Sequence, residues 1–197
     1  MPRYIYDVRP ALDRHLRALA RHHDRQRTPP ARLAFLTLLA TLLGLLGGAA
    51  AWVLVHLIGA ITNVALFGQW GWDLPDFADL PRSPRIVIVA MLGGAVVTLL
   101  ARWAPVIRGH GIPEAMEAVL TRQSRIQPRT AVAKPASAAV AIGSGGPFGA
   151  EGPIIVTGGA LGSLLGQVLS VSAAERKILL AAGAAAGMAA TFGTPLA

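Results

Sequence analysis

The sequence contains no cysteine and few charged residues, and both shortages narrow the class of protein. Without cysteine there is no disulfide framework, no thiolate metal site and no cysteine nucleophile. Charged residues make up 14% of the 197 residues, whereas an ordinary soluble domain carries about 25%. The apolar residues, 53% of the chain, occur in long runs rather than in alternating or narrow helical patterns. Together these features predict an integral membrane protein.

Acidic residues are also outnumbered, and the net charge of +8 is unevenly distributed. Arginines concentrate in an arm, residues 1–32, and basic residues recur between Arg102 and Lys134, whereas residues 68–84 are acidic and aromatic. Positive flanks that alternate with apolar runs indicate membrane topology rather than a nucleic-acid partner. The positive-inside rule places the arm and residues 105–130 in the cytoplasm, with residues 68–84 outside. The leucine spacing in the arm predicts a short amphipathic helix on the cytoplasmic membrane surface.

Two apolar runs are long enough to cross a bilayer. The first covers residues 33–67 and the second covers residues 85–104. Trp70 and Trp72 follow the first run, where an interfacial aromatic belt is expected. His56 is the strongly polar side chain inside the first run, and we expect it to form a hydrogen bond with a neighbouring helix.

After Thr130 the apolar segments are shorter and are interrupted by glycine and proline; they cover residues 131–142, 153–169 and 176–192. Such segments fit discontinuous helices that stop part-way through the bilayer, which is tolerated where the backbone lines a polar cavity. Helices of this kind form binding sites in transporters. A stripe of small residues in the second segment suits close helix contact; it consists of Gly158, Gly159, Gly162 and Gly166.

Two loops share one design, with "GHGIPEA" at 109–115 and "GAEGP" at 149–153. In each, glycines precede a proline that suits the first turn of a helix. A helix N-terminus carries about half a positive charge and free N–H groups, so two termini aimed at one point would bind an anion without a buried lysine to retain it. Glu151 lies at the second terminus. Its carboxylate can occupy the anion position when ionised and leave it when protonated, which would couple a proton to the anion.

These motifs resemble those of the CLC family of chloride channels and proton-coupled chloride antiporters. The family has a GSGIP loop where this chain has "GHGIP", and a G-(Lys/Arg)-E-G-P loop where it has "GAEGP". It has an AAGAAAGLAAAFNAPLAG stretch where this chain has "AAGAAAGMAATFGTPLA", and order and spacing match over residues 33–197. The resemblance implies an all-α membrane protein that forms the first half of an inverted repeat. Long tilted spans and short discontinuous helices would bring helix N-termini to one anion site in residues 33–197, and residues 1–32 would form a cytoplasmic segment.

The resemblance also implies roles for single residues. Glu151 matches the external gating glutamate, and Lys134 lies near a basic residue that commonly precedes the gate, with snorkelling to the cytoplasmic interface as an equal alternative. His110 takes the position of a serine or proline that contacts the central ion, with a hydrogen-bonded position off the pathway as its alternative. Ala150 replaces a basic residue beside the gate. These two departures put chloride selectivity and anion capture in question. The remaining residues that the likeness assigns to the anion site are Gly109, Gly111, Ile112, Pro113, Gly149, Gly152 and Pro153.

Partners and location follow from the same likeness. The transported ions would be chloride or another small anion and, in an antiporter, protons, with no cofactor and no metal. A homodimer is expected for the full-length protein, as a multi-pass component of a bacterial-type inner or plasma membrane with its N-terminus in the cytoplasm. An enzyme is not expected, because no phosphate-binding P-loop, catalytic triad or metal-spaced set of His and Glu is present.

The C-terminal end of the sequence indicates how much of a CLC-type protein this chain would cover. The sequence stops at Ala197, within a family motif, and lacks the family's second-half GxFxP loop, pore tyrosine and internal glutamate. We therefore expect a truncated chain. The alternative function is that of a half-length membrane subunit that assembles with another protein and has no transport of its own. A GxFxP motif in the reading frame downstream of Ala197 would distinguish the two.

Overall fold

The computed structural model describes residues 29–80, 83–109, 111–169 and 171–194. The amphipathic helix expected in the N-terminal arm and the position of His110 lie outside the described residues. All regular structure in the described ranges is helical, which confirms the predicted fold class. The chain divides into two compact units, residues 1–37 and 38–197. In the first, residues 30–37 are the opening turns of a helix; the second contains the elements discussed below.

Six α-helices follow one another in these ranges. They are α1 (Pro30–Thr62), α2 (Arg85–Trp103), α3 (Ile112–Thr121), α4 (Pro128–Gly143), α5 (Glu151–Val168) and α6 (Ala173–Phe192). A π-helical turn, Asn63–Phe67, extends α1, and two 3₁₀ turns cover Phe77–Asp79 and Pro105–Ile107.

The two long apolar runs form the expected helices. Pro30–Phe67 and Arg85–Trp103 are both long and apolar enough to cross a membrane. The first helix begins three residues before the apolar run that predicted it, because Pro30 suits a first helical turn. Large apolar side chains of α2, such as Val87 and Met91, are exposed along its surface. Exposed apolar side chains on a long helix are what a lipid-facing span requires.

An arginine connects the ends of these two helices. The extension of α1 ends at Gly68, whose φ of +71° lies in the left-handed region. The Arg85 guanidinium, at the start of α2, donates hydrogen bonds of 3.1 Å to the carbonyls of Val64 and Ala65. These carbonyls belong to the last turn of the helical extension, where carbonyl groups have no N–H partner within the helix. The beginning of α2 therefore caps the end of the helical extension of α1.

His56 makes its hydrogen bond inside its own helix. Its Nδ1 donates to the Trp52 carbonyl at 2.8 Å, and the two rings stack with centroids 4.1 Å apart. The expected bond to a neighbouring helix was therefore wrong. The carbonyl four residues earlier lies on the same face of a helix, so it is within reach of the imidazole without any partner helix.

The helices after Thr130 begin two or three residues before the apolar segments that predicted them. Their first turns are polar or contain proline, so a boundary based on apolar residues falls too late. In α6, Ser172 and Glu175 form a reciprocal cap: the Ser172 hydroxyl accepts from the Glu175 N–H at 3.2 Å, and the Glu175 carboxylate accepts from the Ser172 N–H at 2.7 Å. The helices α4, α5 and α6 have 16, 18 and 20 residues, which correspond to about 24–30 Å. Among the α-helices of the described ranges, only α3, with 10 residues, is short.

The glycine stripe lies at the contact between α5 and α6, as its pattern predicts. A Cβ on Gly158 would strike the Gly183 carbonyl oxygen, and one on Gly162 would strike the Leu179 carbonyl oxygen. Gly166 faces the Arg176 side chain. The two helices therefore pack backbone against backbone, an approach that only glycine permits.

A buried cluster fixes the start of α5 within the fold. Ile154 is fully buried, and it packs in one cluster with Leu54 and Ile58 of α1 and Ala139 of α4. Because Ile154 lies one turn from the first residue of α5, α1 and α4 hold that N-terminus in place. This packing sets the position of Glu151.

Candidate anion-binding site

Glu151 is the first residue of α5 and its side chain is exposed. The first backbone hydrogen bond of this helix runs from the Ile154 N–H to the Ala150 carbonyl at 3.0 Å. The N–H groups of Glu151 and Gly152 have no acceptor among the described residues, and Pro153 has no N–H to satisfy. Two free donors and the positive end of the helix therefore lie beside the carboxylate.

The N-terminus of α3 is arranged differently, because a side chain caps it. Gly109 and Gly111 have φ values of +106° and +91°, which residues other than glycine rarely adopt. Their turn leads into Ile112 and Pro113, and the Gly111 N–H donates to Glu114 Oε2 at 2.6 Å. One donor of this helix terminus is therefore already paired with a carboxylate from its own first turn.

Glu114 was not among the residues predicted from the sequence. A glutamate three residues after an N-cap is one half of the capping-box pattern, and Gly111 and Glu114 have that spacing. Glycine at the cap position has no side chain to complete the pattern, so the signal was incomplete.

The two predicted loops contact each other. A Cβ on Gly111 would lie 2.6 Å from the Gly152 carbonyl oxygen and 2.9 Å from a methyl group of Val156. Gly111 is therefore required twice, by its positive φ and by the closeness of the second loop. The resulting contact holds the N-termini of α3 and α5 side by side.

Lys134 supports the first loop from within α4. It is 4% exposed, and its ammonium donates to the carbonyls of Ile107 and Gly109, both at 3.0 Å. Glu114 Oε1 lies 3.9 Å from the same nitrogen. The side chain thus points into the protein and does not snorkel to the surface. Its positive charge is compensated by two carbonyl dipoles and by the carboxylate that caps α3.

One cavity of about 470 Å³ brings most of the predicted residues together. Its walls come from α2, α4, the two loops and the start of α5. Of the residues predicted from the sequence, it is lined by Gly109, Ile112, Lys134, Gly149, Glu151, Gly152 and Pro153. Gly111, Pro113 and Ala150 do not line it, and His110 lies outside the described residues.

The cavity also has lining residues that the sequence did not single out. Ser137 follows Lys134 by three residues, and its hydroxyl donates to the Lys134 carbonyl at 2.9 Å. Phe148 precedes the second loop and is exposed at the cavity wall. The helical spacing from Lys134 could have indicated Ser137, since residues three apart share a helix face. No local pattern indicates Phe148.

The chemistry of this site suits a small anion. Glu151, the buried Lys134 and Gly152 at the start of α5 all line the cavity. No group of three or more His, Cys, Asp or Glu residues that could hold a metal ion occurs in the described part of the chain. The ammonium is held by the Ile107 and Gly109 carbonyls rather than directed freely into the cavity.

We expect the Lys134→Met substitution to lower the free energy of unfolding by about 2–3 kcal/mol, because two buried carbonyls lose their donor and Glu114 loses its cation. Lys177→Met removes an exposed lysine of α6 and should change stability by less than about 0.5 kcal/mol. The measurement is thermal or denaturant unfolding in detergent. In a Glu114→Gln background the Lys134 substitution should cost less, since the two groups interact. Equal costs in both backgrounds would contradict the ion pair.

Comparison with known proteins agrees with the family resemblance seen in the sequence motifs. The family model described as voltage gated chloride channel matches residues 92–197, a range that contains both loops. The H(+)/Cl(-) exchange transporter ClcA of Salmonella arizonae is 34% identical over 186 residues, which is 92% of this chain and 37% of that protein. The proteins of the same name from Salmonella paratyphi B and Salmonella newport are 34% identical over 179 residues, 88% of this chain and 36% of theirs. The chain thus spans a little over a third of the length of these relatives.

Proposed function

This chain belongs to the voltage-gated chloride channel family, and from that membership we propose that it moves chloride or another small anion across a membrane, with Glu151 as a protonatable gate. The observation that carries the proposal is the common cavity, which is lined by Glu151 and Lys134 together with Gly109 of the first loop and Gly149 and Gly152 of the second. The relatives named above are H(+)/Cl(-) exchange transporters, which supports chloride and protons as the ions that are moved.

The proposed mechanism uses competition for one position. Anions are drawn to the free N–H groups of Glu151 and Gly152 at the positive end of α5. The ionised Glu151 carboxylate is attracted to the same donors and blocks the anion. Once protonated, the side chain loses that attraction and leaves the position to the anion. Each exchange of carboxylate for anion therefore involves a proton.

Lys134 and Glu114 have a supporting role in this proposal. The ammonium of Lys134 contributes positive potential at the cavity wall, and its bonds to the Ile107 and Gly109 carbonyls hold the first loop in place. Glu114 accepts a hydrogen bond from the Gly111 N–H. Among the described residues, the N-terminus of α5 therefore has more N–H groups without an acceptor than the N-terminus of α3. The gate and the stronger anion attraction then lie at the same helix end.

Two residues set the expected selectivity. Ala150 has no charge, so capture at the cavity mouth relies on backbone donors rather than on a basic side chain. An imidazole at position 110 would add an N–H donor and a titratable charge to the anion pathway. Anions that accept hydrogen bonds more strongly than chloride would bind more tightly with such a donor in the pathway.

The protein is proposed to be a multi-pass membrane protein with a cytoplasmic N-terminus, a homodimer in the lipid bilayer, with no cofactor beyond the ions it moves. Residues 105–130 would face the cytoplasm and residues 68–84 the outside, which in a bacterium is the periplasmic side of the inner membrane. Because the sequence has no cysteine, single cysteines can report the orientation without background.

For Gln69→Cys and Arg125→Cys, both at exposed positions, an impermeant thiol reagent applied to intact cells or spheroplasts should label the first variant alone. Arg125→Cys should become reactive after the membrane is permeabilised. The reverse pattern would reject the proposed orientation.

The function itself is tested by ion flux. Protein expressed from its complete reading frame would be reconstituted in liposomes, with chloride efflux and internal pH recorded together. We expect chloride efflux well above that of protein-free liposomes, accompanied by proton movement in the opposite direction. Nitrate and fluoride in parallel would establish the preferred anion. Absence of any anion flux in protein that elutes as a folded species would reject transport and favour the partner-subunit alternative.

A further inference from the structure

A second cavity, of about 370 Å³, lies next to the first and is basic. Lys134 lines both cavities. The charged residues in the wall of the second cavity are Arg122, Arg125, Arg129, Lys134, Glu114 and Glu117, which give it a net charge of +2. The proposed transport makes no use of this space.

The two carboxylates of this cavity are already paired. Glu117 Oε1 accepts from Arg122 Nη2 at 2.8 Å, and Glu114 caps Gly111. The guanidinium groups of Arg125 and Arg129 have neither an ion-pair nor a hydrogen-bond partner among the described residues. The excess positive charge of the cavity therefore resides on two arginines that are free to bind a ligand.

A buried hydroxyl in the same wall is also unpaired. Thr130 is 3% exposed, and its Oγ1 has no hydrogen-bond partner among the described residues. A threonine inside a helix often bonds the carbonyl four residues earlier, but Thr130 is the third residue of α4 and the residue four earlier, Ile126, lies before the helix. The Ile126 carbonyl accepts from Gln167 Nε2 at 3.0 Å. A buried hydroxyl without a partner costs free energy, and a ligand oxygen in the adjoining cavity would remove that cost.

Other helices fix the loop that carries Arg125 and leads into α4, whose first turn carries Arg129 and Thr130. Ser163 Oγ donates to the Ser124 carbonyl at 2.6 Å and accepts from the Ile126 N–H at 2.9 Å. Arg176 Nη1 donates to the Gln123 carbonyl at 3.1 Å. These contacts come from α5 and α6 and hold the segment between α3 and α4 in one shape. The arginines are therefore anchored to a rigid base, as a binding site requires.

The location of the cavity indicates which molecules could supply its ligand. Trp103 lines it and is 63% exposed, and this residue ends the second span beside Arg102. Exposed tryptophan and arginine at the end of a span mark the headgroup region of a bilayer. Guanidinium groups match phosphate oxygens in geometry as well as in charge.

We propose that this basic cavity binds a phosphate group, which the lipid headgroups of the cytoplasmic leaflet present. Arg125 and Arg129 bind the phosphate oxygens and the Thr130 hydroxyl donates to one of them. The inference uses the proposed membrane orientation but does not depend on transport through the Glu151 cavity. Free inorganic phosphate offers the same chemistry and is distinguished from lipid by the experiment.

The test compares a site variant with a charge-matched control. Arg125→Gln/Arg129→Gln removes these two cations, and Arg108→Gln/Lys177→Gln removes two exposed cations that do not line the cavity. Protein from nanodiscs of mixed composition would be analysed by native mass spectrometry for retained phosphatidylglycerol and phosphatidylcholine. A second arm measures the thermal midpoint in detergent with inorganic phosphate and with chloride at equal ionic strength.

We expect retention of phosphatidylglycerol to fall roughly tenfold in the site variant and to change little in the control, since each exposed charge contact contributes a few-fold in affinity. Thr130→Val should reduce retention about fivefold without loss of stability, because its hydroxyl has no protein partner to lose. Stabilisation by inorganic phosphate alone, lost in the site variant, would support the phosphate site and assign its source to free phosphate. Equal losses in the site variant and in the control, or chloride stabilising as well as phosphate, would overturn the proposal.

Discussion

Glu151→Gln and Glu151→Ala should abolish proton movement while anions continue to pass down their gradient. In this proposal Glu151 is the group that links the two ions, and neither replacement can bind and release a proton at the anion position. Alanine should conduct at least as fast as glutamine, since it leaves no side chain in the cavity. The fold should survive in both variants, because the carboxylate is exposed and makes no salt bridge with any described residue.

The measurement records chloride and proton fluxes together, in liposomes containing protein from the complete reading frame. Glu117→Gln is the matched control, because it neutralises another exposed glutamate, outside the Glu151 cavity. If the carboxylate of Glu151 only capped its helix, its removal would cost about 1 kcal/mol of stability and leave coupling intact. Proton coupling that persists in Glu151→Ala would falsify the gating role.

Gly158→Ala should reduce the free energy of unfolding by about 3 kcal/mol or more, at the upper end of overpacking effects. The added methyl group would strike the Gly183 carbonyl oxygen, and backbone cannot move aside as a flexible side chain can. The helices α5 and α6 would have to separate along their whole contact. Since α5 carries Glu151, we also expect the anion cavity to lose its shape.

Gly94→Ala provides the comparison for this prediction. Gly94 lies within α2, and a Cβ there would have no atom within 4 Å. In open space the same substitution should raise stability by up to about 1 kcal/mol, through helix propensity. Thermal unfolding of both variants in one detergent separates packing from propensity. Similar midpoints for Gly158→Ala and Gly94→Ala would show that the close contact between α5 and α6 does not form.

Local signals in the sequence predicted that the helices and the two loops exist, but placed four of the helix starts two or three residues late. Long apolar runs specify spans whatever their neighbours are. The glycine–proline order specifies a helix start, and small residues three or four apart specify a close helix contact. Glu151, Gly152 and Gly149 were accordingly expected at one site, and the structure places them in the wall of one cavity.

Side-chain partners that are distant in sequence could not be predicted. Lys134 could have extended to the interface or inward, and only the position of the Ile107 and Gly109 carbonyls decides between the two. Ser163 and Ser124 are 39 residues apart, and nothing in either segment indicates the other. The proposed phosphate site depends on such contacts, so it became visible only in the folded chain.

The contact between Gly111 and Gly152 has a consequence for how fast a gate at this site can work. Because the two loops meet backbone to backbone, neither can move inward without displacing the other. In the proposed function, clearing the anion position would then be left to the Glu151 side chain, because exposed side chains exchange rotamers in picoseconds to nanoseconds. Loop and domain rearrangements take microseconds or longer. The turnover of such a gate is limited by the arrival of protons and anions, and it needs no hinge.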